Sequence, residues 1–104
     1  MARFDVYANP DASERPHTPY LLDVQNDYID DLATRVMVPL RSVAAFGPRP
    51  KNLNPALTFG ADMVVLDTAA LGAVPLGELR QAVGSLRDSR ADIQEALDTL
   101  FGVY

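Results

Sequence analysis

YLLDVQNDYIDDLATRVMVPL, residues 20 to 40, holds two strand patterns joined by an acidic connector. Tyr20, Leu22 and Val24 alternate with Leu21, Asp23 and Gln25, and Val36, Val38 and Leu40 alternate with Met37 and Pro39. Both runs follow the two-residue period of a half-buried strand. Between them Asp23, Asp27, Asp30 and Asp31 supply four carboxylates, and no basic residue intervenes before Arg35. The pattern predicts two strands around a solvated acidic turn.

Upstream, Arg3 to Tyr7 reads as a first strand with Phe4 and Val6 on one face. Asn9 to Pro19 holds Pro10, Pro16 and Pro19 and is a loop, since proline removes ladder donors and fixes φ. Downstream, the prolines and asparagines of Gly47 to Pro55 mark a second loop. Ala56 to Phe59 and Asp62 to Leu66 flank Gly60-Ala61 as a hairpin. A short strand over Ala73 to Leu76 is confined by Pro75 to an edge or a bulge.

The period then changes. Ile93, Ala96, Leu97, Leu100, Phe101 and Tyr104 fall at helical spacings, with Arg87, Asp88, Asp92, Glu95 and Asp98 on the other face. Ser85-x-x-Asp88 and Ser89-x-x-Asp92 are alternative starts, and Leu79, Ala82, Val83 and Leu86 also fit a helix. Phe101 and Tyr104 either extend the core-facing stripe or anchor a partner. Strands collected before one helix suggest a β barrel with a helical appendage or a small α+β fold, in a single domain over residues 1–104.

Composition narrows the function classes. The 104 residues carry 14 acidic and 9 basic side chains, a formal charge of -5, with no basic lobe to face phosphates. Direct nucleic-acid binding is therefore disfavoured and a protein partner is expected. Absent cysteine removes disulfides, thiolate metal sites and cysteine nucleophiles. MARFDVYANPD lacks a signal-peptide apolar region, and no run approaches the ~18 apolar residues of a membrane span. The chain reads as soluble and intracellular.

Catalytic chemistry is thin. The single histidine, His17, lies near Glu14 and Arg15, and a general base oriented by Glu14 is the weaker reading beside a solvated loop histidine. Asp23, Asp27, Asp30 and Asp31 lack the spacing of a calcium loop. No nucleophile elbow or phosphate-cradling glycine loop surrounds any hydroxyl.

Leu22-Asp23-Val24-Gln25-Asn26-Asp27-Tyr28-Ile29-Asp30 is similar to Val-Asp-Val-Gln-Ser-Asp-Ile-Ile-Asp of the CcdB toxin family, and Arg35 to Leu40 to its Arg-Met-Val-Ile-Pro-Leu. Pro55 to Gly60, Ala73-Val74-Pro75 and Asp92-Ile93-x-x-Ala96-Leu97 resemble further family segments, so the likeness covers most of the chain outside the Asn9 to Pro19 loop. The resemblance implies a mostly β fold: an SH3-like antiparallel barrel with a small extra sheet and a C-terminal amphipathic helix, forming a homodimer. It implies a cytoplasmic bacterial toxin of a type II toxin–antitoxin module, active in plasmid maintenance. Such a toxin inhibits a topoisomerase by binding the A subunit of DNA gyrase and trapping the cleaved-DNA complex, with no catalytic residue and no cofactor, and a CcdA-like antitoxin neutralises it.

The family's target-contacting positions map onto Tyr28 and Ile29 and onto Asp98 and Phe101, followed by the tail Gly102, Val103 and Tyr104. The family's gyrase poisons end Phe-Trp-Gly-Ile, whereas this chain ends Phe101-Gly102-Val103-Tyr104. Ungapped, Gly102 stands at the tryptophan; with one deletion, Gly102-Val103 matches Gly-Ile and Tyr104 is added. Two alternatives remain: a MazF-like ribonuclease sharing the barrel, against which low basic content weighs, and a non-toxic homologue that only binds an antitoxin.

Overall fold

In the computed structural model, which describes residues 1–103, seven strands form one antiparallel sheet. They are β1 (Asp5–Ala8), β2 (Tyr20–Asp23), β3 (Thr34–Ser42), β4 (Ala56–Phe59), β5 (Asp62–Leu66), β6 (Gly72–Pro75) and β7 (Gly84–Ser85). The α-helices are a single turn, α1 (Val43–Phe46), and a C-terminal α2 (Arg90–Phe101). The sheet runs β4-β5-β3-β2-β1-β7, with β6 pairing the first half of β3. Its two ends curl together: a Cβ on Gly84 of β7 would sit 2.6 Å from the ring of Phe59 on β4. The result is the expected barrel-like architecture, a curled half-barrel carrying a C-terminal helix.

β3 explains the fork. Thr34 to Met37 pair β6, and Leu40 to Ser42 pair β5. Pro39 stands between these two stretches, so its missing N–H falls where the partner strand changes, while its carbonyl accepts from Asp67 at 3.0 Å. Pro75 likewise occupies the last position of β6. In the β4–β5 hairpin, Phe59 pairs Asp62 across Gly60 and Ala61. Gly60 alone of the two has positive φ, 60°, as at the first central position of a type II′ turn.

Burial differs from the half-buried expectation for residues 20–40. Val6, Leu22 and Val38 are neighbours in register and enter the main core with Phe4, Leu40, Leu57, Val64 and Leu66. Tyr7, Leu21 and Met37 form a second buried cluster with Val74 and Leu79. The central strands are covered on both sides, because the β6 region closes over the face that alternation assigned to solvent. Ile93, Ala96 and Leu97 of α2 complete the main core, the fully buried Ile93 side chain alone contributing about 1.5–3 kcal/mol.

Two assignments also differ, and the C-terminal helix starts at the second of its two alternatives. The first strand begins at Asp5, not Arg3, because Ala2 to Asp5 form a turn closed by Asp5 N–H to Ala2 C=O at 3.1 Å. Phe4 takes φ 75° there yet still packs in the core beside Val6. Residues 79–86 are not helical; Val83 and Leu86 donate N–H bonds to Val6 and Phe4 carbonyls, which draws β7 onto β1. Helix α2 begins after Ser89, whose side chain makes no capping bond; Ser85 Oγ instead accepts from Arg87 N–H at 3.1 Å in the turn before it.

No helix among the described residues is long and apolar enough to cross a membrane.

Candidate partner-binding surface

Residues 24–33 connect β2 to β3 without regular secondary structure, and their base is buried. Asp23 is 0% exposed and accepts from Arg35 Nε and Nη2, both at 2.9 Å, and from Gln25 N–H at 3.0 Å. Hydrogen bonding to Asp23 raises the Arg35 guanidinium further above its ordinary range. The expected solvated acidic turn is therefore corrected at its first carboxylate, which serves an internal ion pair and is unavailable to a cation. The pairing had a signal: Asp23 lies two residues after Leu21 and Arg35 two before Met37, so all four share the second buried face.

Above this base the connector turns outward. Asn26 Oδ1 accepts from Tyr28 N–H and Asn26 C=O from Ile29 N–H, each at 3.0 Å. The turn leaves Tyr28 94%, Ile29 48% and Leu32 52% exposed. Asp30 and Asp31 beside them are exposed, while Asp27 also lies 3.8 Å from the Arg35 guanidinium.

The end of α2 supplies more exposed apolar surface. Ile93, Ala96 and Leu97 face the core, whereas Phe101 is 69% and Val103 63% exposed. Phe101 thus leaves the buried stripe. Gly102 closes the helix with its N–H on the Asp98 carbonyl at 2.8 Å and takes φ 80°. Asp98 is partly buried and accepts from Gln94 Nε2 at 2.9 Å, and Tyr104 lies outside the described residues.

Connector and helix meet at Arg3. Its N–H donates to Asp27 Oδ1 at 2.6 Å, and its Nη2 to Gln94 Oε1 at 2.9 Å. A polar chain Asp27–Arg3–Gln94–Asp98 therefore joins two segments more than sixty residues apart in sequence. The guanidinium also stacks 4.9 Å from the Phe4 ring centroid, a cation–π geometry. Sequence reasoning missed Arg3 and Gln94, since neither lies in a motif; only the tertiary fold brings them together.

The remaining candidates stand apart. His17 is exposed, and Glu14 reaches Asn9 Nδ2 at 3.5 Å instead of the imidazole. No group of three or more His, Asp or Glu able to hold a metal occurs among the described residues. What the surface can do chemically is bind: exposed aromatic and aliphatic side chains rimmed by carboxylates suit a protein interface.

A family model described as CcdB protein matches residues 3–102. No curated protein matches the chain.

Proposed function

Because this chain belongs to the CcdB family, toxins that act as protein inhibitors and not as enzymes, we propose that it binds the A subunit of DNA gyrase and traps the cleaved-DNA complex. The observation that supports this reading is the exposure of Tyr28, Ile29 and Phe101, onto which the resemblance maps target contacts, together with exposed Val103 in the tail. Asp98, Gly102 and Tyr104 complete the proposed contact set. A homodimer in the bacterial cytoplasm would present the surface twice, and a CcdA-like antitoxin would cover it.

The physics is population shift. A protein that binds the cleaved state better than the religated one moves that equilibrium by the ratio of the two affinities, without catalysing a step. Exposed aromatics suit the task because their burial costs the free protein little structure and contributes about 1.5–3 kcal/mol each on binding.

Inducing the chain in a sensitive bacterium and assaying gyrase–DNA cleavage complexes tests the proposal. Growth arrest with trapped complexes is expected, both diminished by Tyr28→Ala and Phe101→Ala. Neither arrest nor trapped complexes from the unaltered chain would refute it. Degraded messenger RNA with intact gyrase cycling would favour a ribonuclease instead.

A further inference from the structure

We infer that Gln25 is a positioning residue, clamping the connector so that Tyr28 and Ile29 are presented in their binding shape; the inference rests on the gyrase-binding reading above. Gln25 is only 8% exposed, and both ends of its amide are engaged. Oε1 accepts from Val36 N–H on β3 at 3.0 Å, and Nε2 donates to the Ile29 carbonyl at 2.7 Å. One side chain thus ties the exposed turn of the connector to β3, which pairs three other strands.

Arg35 reinforces the same points. Its Nη2 reaches the Gln25 carbonyl at 3.3 Å and its Nη1 the Ile29 carbonyl at 3.5 Å, while its remaining donors hold Asp23. The Ile29 carbonyl is therefore held from beneath by two side chains while its own side chain is half exposed. Tyr28, one residue earlier, has no side-chain support and is 94% exposed. Its placement depends on the backbone on either side. A surface whose anchors lack packing of their own needs such a fixed backbone, because apparent affinity falls in proportion to the fraction of molecules in the binding-competent shape.

Gln25→Met keeps the side chain's length and volume but removes both bonds, and Gln25→Glu keeps the acceptor for Val36 while removing the donor to Ile29. Amide hydrogen exchange and binding to purified gyrase A subunit are measured on both variants. For Gln25→Met, exchange at Tyr28 and Ile29 should accelerate at least tenfold relative to Leu22 and Val38 in the strands, and binding should weaken at least tenfold. Gln25→Glu should shift in the same direction. Equal acceleration at all four amides overturns the clamp, because it marks a merely structural residue. Loosened connector amides with unchanged binding overturn the link to recognition. If the unaltered chain binds no gyrase A subunit, the functional reading falls and that link with it, whereas the exchange rates still uphold or overturn the clamp.

Discussion

Replacing Arg35 by leucine should be the most damaging single change in the connector's foundation. The Asp23 carboxylate, with no exposed surface, would keep one donor, Gln25 N–H at 3.0 Å, after losing Nε and Nη2 at 2.9 Å. Removing one partner of a buried pair typically costs about 3–5 kcal/mol, since the surviving charge stays desolvated. Against a total stability of about 5–15 kcal/mol, that is a third or more for many domains. At roughly 4–5 °C per kcal/mol for a chain of this length, melting should fall by roughly 12–25 °C. Urea unfolding followed by far-UV circular dichroism, at fixed protomer concentration, measures the loss directly. Asp23→Leu combined with Arg35→Leu removes both charges and should recover most of it, giving a coupling energy above about 2 kcal/mol. A cost below about 1 kcal/mol for Arg35→Leu, or a double variant equal to the sum of the singles, would refute the reasoning.

Further outcomes follow from particular contacts. Gly84→Ala should destabilise by about 1–3 kcal/mol by pressing a methyl into the Phe59 ring, and Phe59→Leu in the same chain should relieve it, both read by urea midpoints. The Ser13 hydroxyl donates to Asp11 at 2.6 Å and chiefly holds that carboxyl below the ordinary aspartate range. Because the folded-state value is depressed, this contribution is present above the ordinary range and fades as pH falls through the folded midpoint. Ser13→Ala should accordingly raise the Asp11 midpoint in a carboxyl-carbon NMR titration; an unmoved midpoint contradicts the assignment. At the tail, Gly102→Trp meets no neighbour within 4 Å of its Cβ but must adopt φ 80° and ψ 139°, at roughly 1–3 kcal/mol for an L residue. Inserting a tryptophan between Phe101 and Gly102 lets the helix lengthen by one residue so that glycine still closes it, and should enhance gyrase trapping more; equal or better trapping by the substitution would count against the backbone argument.

Local patterns in the sequence were enough for the elements whose signal is short-range. The Gly60-Ala61 hairpin appeared with the expected strand limits because one glycine at positive φ and two flanking alternations specify it locally. The core face of α2 followed from 3.6-residue spacing, as Ile93, Ala96 and Leu97 show. The family signature in residues 22–40 likewise pointed to a toxin-like barrel before any contact was known.

Tertiary structure decided what periodicity treats as equivalent. Asp23 and Asp27 look alike in the chain, yet one is sealed under the second buried face and the other binds Arg3 at the surface. Phe101 continues a helical stripe in sequence but emerges to 69% exposure because the core ends at Leu97. Residues 79–86 have helical spacing, and yet Val83 to Leu86 lie along β1, where backbone amides find strand partners. Spacing reports which residues share a face; only the assembled sheet and helix determine whether that face meets water, a neighbour or a buried charge.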